Sequence, residues 1–293
     1  MSRFDTIELS SLPAPAVIET LDFETLFGAF RSAFEGLMPD YDVGALETDP
    51  AMIAGQAFGW ERLKDRARVN DAARSVMLAF ARGSDLDQLA AHYGVERVVL
   101  VPATSTAPAV LEDDARFRTR VQLAPEAMAT TGTRGAYIFH ALAADPAISD
   151  IGLIVPRPGE VHVIIMAGAT GEPTSTTVDS VRARLTRDDI KPLTDAVVVR
   201  AVGMVPYSVA ATLEIARGPD PALIRQQAVA SLRAYAASRQ RVGAFVAVSG
   251  LHASLSVPGV QRVRLLQWSQ DLTVGLDQAP RLDTVDVTTE LVE

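Results

Sequence analysis

Large apolar side chains recur at helical spacing near the start of the chain. They fall at i, i+3, i+4, i+7 and i+11, which is one face of a helix beginning near residue 22: Phe23, Leu26, Phe27, Phe30 and Phe34. We call this set the aromatic stripe. Such a stripe must be covered, and packing on the chain's own body is the favoured interpretation. The alternative is insertion into the groove of a partner protein.

A second helical pattern begins at Asp49, a residue suited to the N-cap, with Pro50 at the first helical position. Its apolar positions are Ile53, Ala57, Trp60, Leu63 and Ala67, continued by Ala73, Met77 and Phe80. No proline interrupts the pattern before Gly83, which predicts one helix of about 33 residues, or about 50 Å at 1.5 Å per residue. Gly55 and Gly59 either weaken this helix or let another backbone come close.

A short helix and a linker follow. Ser84 is placed to be an N-cap, acidic residues occupy the first turn, and Gly94 is placed to end the helix. Residues 98–101 predict a short strand. Residues 101–109 are rich in Pro, Thr, Ser and Ala, so we place a domain boundary in this stretch.

Beyond the linker, helices and strands alternate. An acidic cap at residues 112–114 precedes an Arg-rich helix that is expected to break at Pro125, and a turn through Gly132 and Gly135 leads into the next helix. The remaining pattern predicts strands over 150–155 and 161–166 joined by a PRPG turn, a helix over 176–190, a strand over 196–202, a strand over 207–215, a helix over 221–238, a helix over 247–257 and a strand over 260–267.

The last two thirds of the chain contain a weak internal repeat. A shift of 112 positions places residues 140–154 over residues 252–266 without a gap, and His, Ala, Pro and Leu coincide. We therefore expect an α+β protein, in which an N-terminal helical arm and a long helix precede two similar α/β-sandwich-like units. The expected segments are an acidic arm with the aromatic helix (1–48), a helical bundle segment with the linker (49–109), a first α+β unit (110–203) and a second α+β unit (204–293).

Composition excludes several classes of site. The chain has no cysteine, so disulfides and thiolate metal sites are ruled out. The N-terminus lacks an apolar signal region, and no apolar run of about 18 residues occurs. We expect a product of the cytoplasm that is neither secreted nor membrane-spanning.

The net charge of −9 is concentrated at one end. Residues 1–60 contain ten acidic and two basic residues, and the rest of the chain is almost neutral. This distribution argues against nucleic-acid binding, which needs clustered bases. The bases of residues 62–82 alternate with acids, as in salt-bridged helix surfaces. The acidic segment is either a solubilising surface or an arm that docks on a basic neighbour.

Candidate chemistry is sparse. His140 and His252 lack further His or carboxylates at i+3 and i+4, so packed histidines are favoured over metal ligands. The acids at 112–114 suit a helix cap, and Asp188 and Asp189 suit a turn. Residues 132–135 lack the Lys-Ser/Thr of a phosphate-binding loop. We therefore expect no catalytic, metal or cofactor site.

Several stretches together resemble the baseplate J family, wedge proteins of contractile phage tails and related injection particles. The matching stretches are DDARFRTRV, GTRGAYIFHALAADP and ISDIGLIV followed by PRPGEVHVII. The flanking stretches LPAPAVIETLDFETL and RVNDAARSVMLAFARGSDLDQLAAHYGVER look like the branch found in P2-like tails. The resemblance therefore covers nearly the whole chain.

The resemblance implies a structural wedge subunit of the virion tail baseplate, made in the host bacterial cytoplasm. It implies self-association in pairs, N-terminal helices that bundle with a companion wedge protein, and C-terminal domains that close an inner ring around the hub and spike. Contacts with a sheath initiator are implied as well. The residues expected at the bundle interface are Phe23, Phe27, Phe30, Trp60, Leu63 and Ala67.

Two other classes stay open as alternatives. The first is a tail-associated hydrolase with a His/carboxylate site that only folding would assemble. The second is a nucleic-acid-binding module, which the sequence pI of about 5.0 disfavours.

Overall fold

The computed structural model describes residues 7–13, 15–41, 48–128, 132–168, 170–216, 218 and 220–292. The chain forms two compact units, each described by itself. Unit 1 comprises residues 1–97 and 110–122, and unit 2 comprises residues 98–109 and 123–293. Four charged residues of the acidic N-terminal segment lie outside the described residues: Arg3, Asp5, Asp42 and Glu47.

Helices precede two three-stranded sheets, which confirms the expected α+β class. The helices are α1 (Phe23–Leu37), α2 (Pro50–Ser75), α3 (Gly83–Ala91), α4 (Asp114–Ala127), α5 (Arg134–Leu142), α6 (Ser175–Leu185), α7 (Pro221–Arg239) and α8 (Val248–Leu255). The strands are β1 (Val99–Val101), β2 (Val110–Leu111), β3 (Ile148–Arg157), β4 (Glu160–Ala167), β5 (Ala196–Ala201), β6 (Gly203–Ala216), β7 (Val260–Leu265) and β8 (Gln278–Val292).

Aspartate side chains begin the two long helices of unit 1. Asp22 accepts hydrogen bonds from the backbone N–H of Thr25 at 2.8 Å and from its hydroxyl at 2.7 Å. Asp49 accepts from the N–H of Ala51 at 2.8 Å, with Pro50 at the first helical position as predicted. These bonds satisfy N–H groups that have no partner within the helix.

The second helix is shorter than the sequence predicts. α2 ends at Ser75, so the expectation of one helix as far as Gly83 is wrong. The carbonyls of Leu78 and Ala81 instead accept hydrogen bonds from the Arg118 guanidinium, at 2.7 and 2.6 Å. Because a side chain satisfies these carbonyls, the backbone can leave the helix at low cost.

The start of α3 also differs from the prediction. Ser84 is not the N-cap: the helix begins at Gly83, after Arg82, and Arg82 makes no side-chain capping bond. The N–H of Gly83 donates to the Asp114 carboxylate at 3.1 Å. The cap therefore comes from a residue distant in sequence, which local spacing cannot reveal.

Pro125 does not break α4, which continues to Ala127. The expected break is therefore wrong by two residues. Proline removes one backbone hydrogen bond, and its cost is limited here because the helix ends two residues later. The adjacent Leu123 and Ala124, which already belong to unit 2, are both buried, and Leu123 packs in the core under α5 and α6.

The first sheet of unit 2 has the strand order β3-β4-β5, with β3 antiparallel and β5 parallel to the central β4. β3 and β4 form the hairpin that the PRPG turn predicts, with Gly159 at φ 80°. Helices α5 and α6 cover one face. The core under them contains Tyr137, Ala141, Val163, Ile165, Val181 and Leu185.

The second sheet has the order β7-β6-β8, with β7 antiparallel and β8 parallel to the central β6. Every second residue of β6 is buried from Val209 to Ile215 and faces α7 and α8. Leu213 in this row is 0% exposed. The two sheets thus share one pattern, a central strand with one antiparallel and one parallel neighbour.

The internal repeat maps onto equivalent elements. The repeated segments contain α5 followed by β3 and α8 followed by β7, and in both cases the strand is the antiparallel edge of its sheet. The expectation of two similar units is confirmed for these elements. Strand β8 was not predicted, although Val285, Val287 and Leu291 alternate with polar residues.

We predict that Leu213→Ala lowers the free energy of unfolding of unit 2 by about 2 to 5 kcal/mol, because it leaves a cavity in a closed core. The chain has two tryptophans, Trp60 in unit 1 and Trp268 in unit 2. Urea unfolding followed by Trp268 fluorescence in a Trp60→Phe background measures this unit alone. Leu223→Ala, on the exposed side of α7, is the control, with an expected change of about 0.5 kcal/mol. Equal losses in both variants would contradict the prediction.

Candidate assembly surface and buried ion network

The aromatic stripe packs against α2 of the same chain. The Phe23 ring stacks on Trp60 with centroids 4.6 Å apart, and Phe30 lies 6.3 Å from Phe58. A Cβ at Gly55 would lie 2.1 Å from the Phe30 ring, and one at Gly59 would lie 3.1 Å from Phe23. The two glycines therefore let α1 and α2 approach closely, the second of the two roles the sequence left open.

This cover is incomplete. No residue of α1 is buried, and Phe23, Phe27 and Phe30 are all half-buried. On α2, Leu63 and Ala67 are half-buried as well. Trp60 is 52% exposed even though one side of its ring contacts Phe23. The six residues expected at the interface thus gather on the α1–α2 hairpin, and each keeps part of its surface free.

The N-terminal arm, residues 7–20, is held on unit 1 by backbone recognition. Buried Asn70 accepts from the N–H of Glu19 at 3.0 Å and donates to its carbonyl at 2.9 Å. The Glu19 carboxylate forms an ion pair with Arg66. Farther along the arm, the carbonyl of Ile7 accepts from Gln122 at 3.2 Å. The acid at position 19 is therefore paired within the chain.

A buried carboxylate organises the start of α4. The Glu112 side chain is 0% exposed and pairs with Arg116 at 3.2 Å and with Arg120. Arg120 also donates to the carbonyl of Glu96 at 3.1 Å. Removing a charge from water is costly, so a buried carboxylate requires such partners. Glu112 therefore fixes two helical arginines in place, instead of capping α4 as the sequence suggested.

Arg97 joins two further segments of unit 1, α3 and the start of α4. Its guanidinium donates to Asp114 at 2.6 Å, to the Glu112 carbonyl at 2.9 Å and to the Gly83 carbonyl at 3.2 Å, and it also pairs with Asp87. It lies 4.6 Å from the centroid of the Phe117 ring. The Arg97 hydrogen bond lowers the pKa of Asp114 below its ordinary value.

Sequence reasoning missed this network of ion pairs. The signal that could have revealed part of it is the spacing of Glu112, Arg116 and Arg120, which are four residues apart on one helix face. The contributions of Arg97 and Asp87 come from other segments, and no local pattern connects them.

A cleft of about 650 Å³ lies beside the network in unit 1. Its lining includes Asp114 and Arg118, which are engaged in the bonds described above, and Asp71, which pairs with Arg74 at 3.2 Å. Opposite charges are thus mixed along its wall. The cleft is therefore a polar surface that charged side chains of both signs line.

The other candidate acids have structural roles as well. Asp113 caps α4 by accepting from the N–H groups of Ala115 and Arg116 at 2.8 and 3.0 Å. Asp189 pairs with Arg187 at 2.6 Å, and this hydrogen bond lowers the pKa of Asp189. Within the described residues, no three His or acidic side chains are grouped as metal ligands.

His140 is half-buried in α5. Burial lowers its pKa below the ordinary 6.5, and the neighbouring Arg184 and Arg187 lower it further, while Asp189 opposes them. The Asp189 carboxylate is itself paired with Arg187. This arrangement favours a neutral packed histidine. His252 lies in α8, where its carbonyl accepts from the Ser256 hydroxyl at 2.8 Å.

Partly covered aromatic side chains on a helical hairpin are typical of a surface that packs against another protein. Comparison with known proteins makes this assignment specific. The baseplate J-like N-terminal, central and C-terminal domains match residues 47–104, 129–201 and 207–288. Baseplate protein J of Escherichia phage P2 is 35% identical over 284 residues, which cover 93% of this chain and 94% of that protein.

The chain therefore belongs to the baseplate J family, as the resemblance in its sequence indicated. It is a structural component of a phage tail baseplate. In the part of the chain that the structure describes, no helix is both long and apolar enough to cross a membrane.

We predict that Glu112→Gln lowers the free energy of unfolding of unit 1 by about 3 to 5 kcal/mol, because it leaves Arg116 and Arg120 without their buried counter-charge. Trp60 fluorescence during urea unfolding, in a Trp268→Phe background, measures the change. Glu61→Gln removes an exposed pair with Lys64 and is the matched control, expected to cost less than about 1 kcal/mol. A Glu112 variant as stable as the control would show that the network is dispensable.

We also predict that His140 makes unit 2 less stable in mild acid. Its folded pKa is depressed, so below about pH 6.5 the unfolded chain binds a proton that the folded chain resists, and stability falls with pH. His140→Gln removes this contribution. The loss of unfolding free energy between pH about 7.5 and about 5.5, followed by Trp268 fluorescence, should be smaller in the variant than in the parent. An equal or larger loss would contradict the assignment.

Proposed function

We propose that this protein is a wedge subunit of a contractile phage tail or phage-tail-like particle, and that its α1–α2 hairpin bundles with helices of a companion wedge protein. The observation that carries the proposal is the half-covered aromatic stripe. Only four residues of α2 are buried, two of which are glycines, and no residue of α1 is buried. A hairpin with so little interior gains stability when further helices pack on it.

Two rows of exposed apolar residues on α2 support a multi-helix bundle. Ile53, Trp60 and Ala67 are spaced by seven residues along one flank, and Ile53 and Trp60 are 54% and 52% exposed. On the other flank Phe58 and Val69 of α2 are 54% and 63% exposed, and Val76, seven residues after Val69 and directly after the last residue of the helix, is 68% exposed. Seven-residue spacing is the repeat by which helices pack side by side. The hairpin therefore presents an apolar row to a helix on either side.

The same proposal assigns the expected segments 110–203 and 204–293 to contacts between neighbouring wedges. The subunit would self-associate in pairs and rings around the hub and spike, with contacts to a sheath initiator. Its action would be mechanical, since the ring must hold one state and open when the sheath contracts. Binding energy spread over several apolar surfaces supports such a role better than a single reactive site does.

We predict that Ile53→Asp weakens binding of the companion wedge protein by about thirtyfold or more, because a charge enters an apolar contact of about 2 kcal/mol. Ile53 takes no part in the aromatic stacking between α1 and α2, so the variant should fold normally. Co-expression with the product of the adjacent baseplate gene, followed by affinity capture and titration, measures the effect. Trp60→Ala should weaken binding as well, although it also removes the stack on Phe23.

Leu223→Asp is the control for this experiment. It places the same charge on an apolar residue of α7 that is 53% exposed. If Leu223→Asp and Ile53→Asp weaken binding equally, the effect is not specific to the hairpin, and the result would contradict an interface there. Binding that Ile53→Asp leaves intact would reject the bundle proposal.

A further inference from the structure

The sheet β7-β6-β8 in unit 2 has two open edges. Within the described residues, β7 and β8 each pair with β6 and with no other strand. β8 pairs with β6 along its whole length, from Gly203 opposite Gln278 to Ala216 opposite Val292. Its outer edge is therefore long. Unpaired strand edges carry free N–H and C=O groups and are ready sites for pairing with another chain.

The two edges have opposite charge. On the face of the sheet away from α7 and α8, β7 carries Arg262 and Arg264, which lie opposite Glu214 and Thr212 of β6 in the strand register. On the same face, β8 carries Asp286 and Glu290, opposite Ala210 and Glu214. Arg262 and Asp286 are both exposed. Arg264 forms ion pairs within the chain, with Glu214 at 2.6 Å and with Glu290 at 2.9 Å. Arg262 therefore leaves the β7 edge basic, and Asp286 leaves the β8 edge acidic.

The other face of each edge is apolar. Val263 and Leu265 of β7 lie opposite Leu213 and Ala211, and Val285 and Val287 of β8 lie opposite Val209 and Ala211. These side chains face the core under α7 and α8. Both edges therefore have the same two-sided pattern, with apolar residues toward the helices and charges toward solvent.

We propose that the β7 edge of one copy of this chain pairs antiparallel with the β8 edge of a second copy, so that the sheet continues from copy to copy. The strand directions agree, since β7 is antiparallel to β6 and β8 is parallel to it. Pairing of two β8 edges is disfavoured because it would bring acids of both copies together.

One register satisfies both faces. With Arg264 of one copy opposite Asp286 of the next, Arg262 lies opposite Thr288 and between Asp286 and Glu290. In the same register, Val263 meets Val287 and Leu265 meets Val285. On the solvent face Asp286 then joins Glu214 and Glu290 around the Arg264 guanidinium, and on the helix face aliphatic side chains pair.

Such a contact is heterologous, because each copy uses a different edge toward each neighbour. Contacts of this kind generate rings when the rotation closes and filaments when it does not. The inference deepens the proposed function, because it names a second copy of the chain as the partner and β7 and β8 as the contacting strands. It rests on the proposed function in one respect: copies of the chain must lie next to one another in the assembly. It does not involve the α1–α2 hairpin, so failure of the bundle proposal and failure of this one can be told apart.

Disulfide trapping in the full-length chain tests the proposal. The sequence has no cysteine, so Arg262→Cys with Thr288→Cys introduces the only thiols. In one copy the two positions flank β6, about 10 Å or more apart, which is too far for a bond within the chain. On mild oxidation, a non-reducing gel should show a ladder of dimers, trimers and larger species that collapses on reduction.

The matched control is Arg225→Cys with Thr288→Cys, in which the first thiol lies on the exposed side of α7. A ladder no stronger than in the control, in a folded protein whose thiols both react with a thiol reagent, would overturn the proposal. Dimers without larger species would overturn it as well, because a heterologous contact continues beyond two copies.

Charge reversal provides an independent readout. Asp286→Lys added to the Cys pair places a cation opposite Arg264 of the next copy, and the ladder yield at low salt should fall at least fivefold. Asp188→Lys makes the same charge change on the exposed turn after α6 and should leave the yield unchanged. Equal yields in both charge variants would contradict the register.

Discussion

Unit 1 depends on the burial of one carboxylate. Glu112 is enclosed, and its charge is tolerable only because Arg116 and Arg120 reach it from the next two turns of α4. Arg97 and Arg118 extend the same arrangement to the backbone around residues 78–83. These segments also bury Leu86, Ala90 and Phe117, and the charge-assisted hydrogen bonds, which are directional, fix one geometry among them. Unit 2 relies on ordinary apolar layers instead.

Local patterns predicted the elements whose determinants are local. The aromatic stripe, the cap at Asp49 and the β3–β4 hairpin all follow from residues close in sequence. The prediction failed at residues 76–83, where Arg118 and Asp114 act from about 30 to 40 positions away. Strand β8 could have been found from its alternation. Its role as a parallel neighbour of β6 depends on long-range pairing, which periodicity does not encode.

The candidate surface shows the same division. The sequence located the six residues of the hairpin on two helix faces, and the structure shows that these faces meet each other through Gly55 and Gly59. Whether a side chain with half its surface covered is core or interface depends on what surrounds it in the assembly. Trp60 has both characters at once, since one side of its ring packs on Phe23 and the remainder faces solvent. No single-chain pattern separates the two.

The contact of Phe30 with Gly55 links the two positions in evolution. A methyl group at residue 55 would overlap the ring, so a lineage that replaces this glycine must also reduce the side chain at residue 30 or move the helices apart. Moving them apart would change the width of the hairpin and hence its fit to any neighbouring helix. Residues 30 and 55 are therefore expected to change together among related proteins, so that a substitution at one position accompanies a compensating substitution at the other.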